Sequence, residues 1–411
     1  MTSTRVDPWH DAYARRARGM TASEIRALFA VASRPEVISL AGGMPPPDSL
    51  PLDLLSDIAG RLVLTDAAAS LQYGSAQGDP LLRESVVEVA AESGVHAHPG
   101  DVVVTTGSQH ALDLLARILL DPGDVVLVES PTYVGALGVF RSYEARVRHV
   151  GTDASGMSPE DLVAVAARER AAGHRVKLAY VVPNHQNPSG ATMPPERRDA
   201  LVAAASAAGV LLVEDDPYSL LGFDGGPAPS LRERDPAGVV YLGSFSKTLA
   251  PGLRVGFAVA PPALRDKLVL AAESAVLCPS AFGQRVVATY LREHPWREHV
   301  KGLRVLYRER CDAMVESLSR HLPEAGWSAP RGGFFVWARL PGGLDASALL
   351  PRAVSARVAF VPGSAFYADD QGRDHVRLSF CLPPPADIAE GVRRLADVVT
   401  AERELRVAAG R

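Results

Sequence analysis

Lys247 stands among hydroxyls in Ser244-Phe245-Ser246-Lys247-Thr248, just after the apolar stretch 239–242, with Arg254 seven residues further on. An amine at a strand end can form a Schiff base with an aldehyde, and hydroxyls with a guanidinium can hold a phosphate. The run therefore suits a phosphate-bearing aldehyde, and it reads equally as a solvated loop. Asp215 ends another apolar stretch, in Asp215-Asp216-Pro217-Tyr218, where Pro217 removes a ladder donor and forces a turn. A carboxylate there can pair with a protonated pyridine nitrogen and hold the ring as an electron sink, or it can cap the turn. Asn187, in Pro183-Asn184-His185-Gln186-Asn187-Pro188-Ser189-Gly190, can donate an amide hydrogen to a phenolate and lower the pKa of a neighbouring imine.

Three more segments have chemistry to offer. Ser108 and Gln109 follow Gly107 ahead of a helical pattern, where backbone N–H groups and a hydroxyl bind phosphate; an ordinary serine cap is the alternative. Tyr133, after Ser130-Pro131-Thr132, can stack on a flat ring or fill a core. Arg377 alternates with Val376, Leu378 and Phe380, which places it on the opposite face of a strand. From there it can take a carboxylate in two parallel hydrogen bonds, or lie on the surface.

The elements that must position these residues form a repeating pattern. From residue 101, Val- and Leu-rich strands alternate with helices: DVVVTT, DVVLVES, LAYVVP, VLLVEDD, VVYLGSFSK and GFAVAP are strands. Continuous apolar strands separated by helices imply a mostly parallel central sheet with helices on both faces, an α/β fold. Ligands on such sheets bind outside the carboxyl ends of the strands, where all the polar punctuation falls. After about residue 285 the pattern becomes α+β: a long helix over 285–322, then GGFFVWARL, RVAFVPGSAF and HVRLSF as strands, then a final helix from Pro385. At the other end, residues 21–33 read as a capped helix and VISLAGG as a short strand, and this segment is expected to pack with the smaller α+β lobe. The resulting division is 1–45 for the N-terminal arm and helix, 46–300 for the large domain and 301–411 for the small one.

Composition excludes several classes. With 411 residues, 47% hydrophobic and 22% charged, the chain has a globular core, and its net charge of −4 disfavours a broad nucleic-acid face. Cys278, Cys311 and Cys381 show no CxxC spacing, so neither a metal site nor a disulfide framework is expected, and each reads as a small buried apolar residue. No apolar run is long enough to span a bilayer, and the first twenty residues lack a secretory h-region, so a cytoplasmic protein is expected.

Taken together, ISLAGGMPPPDSLP, LQYGSAQGDPLLRE, TTGSQHALDLL, ESPTYVGAL, PNHQNPSGATM, VEDDPYSLL, GSFSKTLAPGLRVGF, PRGGFFVW and FVPGSAFY…HVRLSF resemble fold-type I pyridoxal-phosphate aminotransferases of class I/II. The likeness is strongest to the 2-aminoadipate and kynurenine aminotransferase branch. It implies that Lys247 carries pyridoxal 5'-phosphate and later moves the α-proton. Asp215 would hold the ring nitrogen, Asn187 and Tyr218 the ring hydroxyl, and Tyr133 would stack on the ring. Ser108, Gln109, Ser244, Ser246 and Arg254 would hold the phosphate. Tyr73 would reach the partner subunit's phosphate in a homodimer with shared sites. Arg377 would bind the substrate α-carboxylate, with Gly42 and Asn187 nearby. The reaction implied is ping-pong transfer of an amino group from an L-amino acid to a 2-oxo acid.

Arg26 matches an arginine that this branch sets against an acidic side chain, which points to glutamate or 2-aminoadipate as donor; it reads equally as a solvated helix arginine. Leu28, Phe29 and Val31 beside it suit an apolar or aromatic donor. Met44-Pro45-Pro46-Pro47 and His185 depart from the usual pattern and are expected to reshape the substrate pocket. Decarboxylases, β-lyases and oxidases share the cofactor motifs. A MocR-like sensing domain is a further alternative, set against the short segment ahead of residues 23–26 and the acidic net charge.

Overall fold

The computed structural model describes residues 7–18, 34–226 and 228–408. The helix expected over 21–33, and Arg26 with it, lies outside the described residues. Among the described residues there are fifteen strands: β1 Ile38–Ser39, β2 Val102–Thr105, β3 Val125–Glu129, β4 Arg146–Val150, the hairpin β5 Thr152–Asp153 and β6 Gly156–Met157, β7 Val176–Val181, β8 Leu211–Asp215, β9 Val239–Ser244, β10 Gly256–Val259, β11 Gly326–Trp327, β12 Phe335–Arg339, β13 Val358–Ala359, β14 Val361–Pro362 and β15 His375–Ser379. Seven of them form one sheet in the order β2-β10-β9-β8-β7-β3-β4. All its neighbours pair in parallel except β10, which runs antiparallel between β2 and β9. Every residue of β2 and β3 is buried, as a sheet covered on both faces requires.

Strand β4 escaped the sequence reading. Its residues Arg146, Arg148 and His149 break the apolar run, because β4 is an edge strand and its side chains reach solvent. The helix expected over 285–322 is two helices, Ala281–Glu293 and Trp296–His321. Pro295 divides them: it offers no N–H to the helix ladder and forces His294 into an extended conformation. Trp296 and Val300 belong to one core cluster with Val102 and Val104, whereas Leu303, Met314 and Leu318 belong to a second that holds residues of both sheets, so the second helix joins two cores.

The smaller sheet is antiparallel, in the order β11-β12-β15-β14. Beside it β1 pairs with β13 in a separate two-stranded sheet, Leu40 donates its N–H to Ala359 O, and Ser379 N–H donates to Leu40 O. Among the described residues no helix is long and apolar enough to cross a membrane.

One junction between the two parts is unusually tight. An isolated bridge joins Gly222 to Gly332, and the His185 ring lies against both. A Cβ on Gly332 would stand 2.4 Å from that ring. Gly332→Ala should destabilise the protein by about 1–3 kcal/mol through overpacking. In denaturant melts, adding His185→Ala should recover part of that loss; strictly additive losses would show that the two positions do not compete for space.

Candidate active site

A cavity of about 740 Å³ opens at the carboxyl edge of the large sheet. Each wall segment follows directly from a strand end: Gly107, Ser108 and Gln109 after β2, Tyr133 after β3, Asn187 after β7, Tyr218 after β8, and Ser246 and Lys247 after β9. Because β10 runs the other way, its beginning lies at this same edge, and Arg254 just ahead of it reaches the cavity too. The smaller sheet adds Arg377 and Phe335, and the N-terminal segment adds Gly43 and Met44.

The β2 and β9 ends form an anion cup. Gly107, at φ +79°, caps the helix Ser108–Leu119, so Ser108 is its first residue rather than its cap, and no side chain takes up the N-terminal N–H groups. A Cβ on Gly107 would lie 2.5 Å from the Arg254 guanidinium, and Arg254 itself is left-handed, at φ +54°. Its Nη2 donates to Thr106 O at 3.1 Å. Ser244 Oγ and Ser246 Oγ stand 2.9 Å apart beside them. Gln109 lines the cavity, but its amide donates to Gly135 O at 2.9 Å.

The deeper wall is built from ionisable groups. Asp215 Oδ2 accepts from the Tyr180 hydroxyl at 2.6 Å, while the buried Oδ1 has no protein partner. Burial pushes Asp215 up to about 6, against the Tyr180 hydrogen bond and the Lys247 charge, which pull it down. Lys247 Nζ donates to Gly43 O at 2.7 Å. Burial lowers Lys247 to about 8; Arg377 and Arg254 push the same way, and Cys381 and Asp215 oppose them. Burial also pushes the phenols of Tyr133 and Tyr218 above their ordinary value, so both stay protonated.

Arg377 is 4% exposed. Its Nη1 donates to Asn187 Oδ1 at 2.9 Å and its Nη2 to Ala41 O at 2.7 Å, and its guanidinium lies 4.2 Å from the Phe335 ring centroid and 5.0 Å from that of Phe366. Burial lowers it to about 10, which still leaves it charged at neutral pH. The surface alternative for this arginine is therefore excluded.

An amine, an unpartnered buried carboxylate oxygen and a serine–arginine cup in one cavity fit a phosphorylated pyridine aldehyde. The aminotransferase class I and II family profile matches residues 36–395. The chain is a class I/II aminotransferase. It is 40% identical over 392 residues to the 2-aminoadipate transaminase of Thermus thermophilus, covering 94% of this chain and 96% of that one. It is 38% identical over 393 residues to aromatic-amino-acid aminotransferase 1 of Thermococcus litoralis, covering 95% and 94%. Kynurenine aminotransferase of Pyrococcus horikoshii, solved in complex with PMP, superposes with a TM-score of 0.90 at 38% identity, covering 95% and 97%. This aminotransferase uses pyridoxal phosphate and moves amino groups between amino acids and 2-oxo acids.

Not every expected residue joins the cavity. Gly42 is buried behind it, and its carbonyl lies 3.5 Å from Cys381 Sγ. Tyr73 is 78% exposed and does not line it. His185 does not shape the substrate pocket as expected. It lines a separate cleft of about 780 Å³ with Trp327, Trp337 and Gly190, its ring held beside Gly222, Gly332 and the Thr192 hydroxyl. Met44 does line the pocket. Cys381 was missed as a polar contributor: its Sγ is 3.2 Å from Met44 O and 3.3 Å from Ser379 Oγ. Only its distance of two residues along the chain from Ser379, and four from Arg377, hinted at this.

In aminotransferase stripped of cofactor, Lys247 is a nucleophile only when neutral. Its capture of an aldehyde, trapped by borohydride, should rise through a midpoint near pH 8. A midpoint at the ordinary lysine value would contradict the burial of its amine.

Proposed function

We propose that Lys247 tethers the cofactor when no donor is bound and, once freed, takes the α-proton of the donor. The observation that carries this is the meeting of its lowered amine with the unpartnered Asp215 Oδ1 in one cavity. Bound there, pyridoxal phosphate supplies an aldehyde that accepts the amino group and a cationic ring that draws off the electron pair left by the α-proton. Asp215 keeps the ring nitrogen protonated. Asn187 and Tyr218 would hold the ring hydroxyl and Tyr133 would support the ring. Ser108, Gln109, Ser244, Ser246 and Arg254 hold the phosphate. Arg377, with Asn187 and the residue 42–44 backbone, takes the donor's α-carboxylate. Lys247 Nζ, aimed by the Gly43 carbonyl, would hold that proton and give it back in each half of a ping-pong cycle.

The working unit is a homodimer with shared sites, in the cytoplasm. Tyr73 supports the dimer: it stands beside exposed Leu71, Gly74 N–H donates to Cys278 Sγ, and Leu277 is exposed next to that cysteine. This apolar surface is what a partner subunit would cover, bringing its own Tyr73 to the phosphate. The three cysteines are free thiols, as in a reducing compartment. Residues 1–45 act as an arm, 46–300 as the cofactor domain and 301–411 as the small domain.

The donor is acidic, glutamate or 2-aminoadipate, and Arg26 is the residue assigned to recognise it. The relative in Thermus thermophilus named for 2-aminoadipate supports this. A neutral aromatic donor is favoured instead by Met44 and Phe335 in the wall. Purified protein should show a visible band that bleaches with glutamate or 2-aminoadipate and returns with a 2-oxo acid; Lys247→Ala should abolish the cycle. Stoichiometric release of ammonia or carbon dioxide would show a lyase, oxidase or decarboxylase instead.

Arg26→Ala should raise KM for acidic donors by roughly tenfold or more, the worth of a charged hydrogen bond, and leave neutral donors nearly unchanged. Equal effects on both classes would assign the site to neutral donors.

A further inference from the structure

Two loops flank the cavity, one carrying Tyr133 and the other Asn187, and both contain prolines, Pro131 and Pro188, that offer no N–H for knitting them together. Gln186, 3% exposed, supplies the missing link. Its Nε2 donates to Pro131 O at 2.8 Å and lies 3.2 Å from Glu129 Oε2, while its Oε1 accepts from Ser189 N–H at 2.8 Å. Glu129, 1% exposed at the end of β3, accepts from Val182 N–H at 3.0 Å through the same Oε2. One side-chain amide thus touches the Pro131 loop, the end of β3 and the turn of its own loop. Its neighbour in the chain is Asn187, and Tyr133 lies two residues beyond Pro131.

Burial pushes Glu129 up to about 8, although the Val182 N–H and the Gln186 amide pull it down.

We propose that Gln186, backed by Glu129, is a positioning residue of the amino-transfer site: its amide sets the spacing between the Tyr133 loop and the Asn187 turn. This rests on the assignment of Tyr133 and Asn187 to the cofactor. A buried amide with three contacts leaves unpaired groups on both loops when it is removed, so the loops must shift to find other partners.

The test compares holoenzyme variants by two readouts, the pH midpoint of the visible absorbance and the single-turnover rate with saturating donor. Gln186→Met keeps the length and removes the amide. It should move the midpoint by about half a pH unit and slow the turnover about tenfold, the effect of losing a buried hydrogen bond beside the chemistry. Glu129→Gln keeps an acceptor oxygen and should stay within about threefold of the parent. If Gln186→Met fails to fold, Gln186→Glu, which keeps the acceptor for Ser189 N–H but loses the donor to both Pro131 O and Glu129 Oε2, is read in the same way. A Gln186 variant that lowers the thermal midpoint but leaves both readouts unmoved would overturn the proposal, as would a Glu129→Gln as slow as Gln186→Met. Asn187→Ala is the control: if it too leaves the absorbance midpoint unmoved, the assignment of Asn187 to the cofactor fails first, and the proposal with it.

Discussion

The reversed strand β10 is the constraint on which the cavity depends. A parallel sheet delivers only its carboxyl ends to one edge, and those ends bring the lysine, the acid and the amide. The guanidinium arrives because β10 enters antiparallel, pairing Gly256 with both Thr105 and Ser244. Its first residue therefore sits between the two loops of the anion cup. Gly256 has no side chain, and a Cβ there would stand 2.6 Å from the Gly107 carbonyl carbon. Arg254 adopts a left-handed backbone at the turn, which returns its guanidinium to Thr106. Reversal, close approach and strained turn serve one end: a cation beside a helix N-terminus that no side chain caps.

Burial then makes these groups reactive. Removing Lys247 from water weakens its hold on a proton, and two neighbouring guanidinium groups weaken it further. Arg377 tolerates its own burial because Asn187 and Ala41 accept its hydrogens and two phenylalanine rings cover its faces. The same low-dielectric wall raises Asp215, where an arriving cationic ring nitrogen would lower it again.

The N-terminal segment closes the arrangement. Residues 40–44 are held to the small sheet by Ser379, Arg377 and Cys381, and to the large one by Lys247 through Gly43 O. Substrate would meet a wall belonging to both parts of the molecule, so the relative placement of the two sheets bears directly on the chemistry.

The sequence by itself determined the strand–loop alternation and the polar residues at each strand end. These are short-range properties: apolar runs, turn residues and the obligatory exposure of strand ends are written within a few positions of each other. Lys247, Asp215, Asn187, Tyr133, Ser108 and Arg254 could all be read that way, and the cavity unites them. Tertiary structure decided the rest, because side chains distant in sequence meet only when elements pack. It turned His185 to a rear cleft, left Tyr73 facing outward, buried Arg377 between rings and made a cysteine read as inert into a support for Met44. It also decided the direction of β10, since an apolar run of four residues carries no sign of which way its strand will pair.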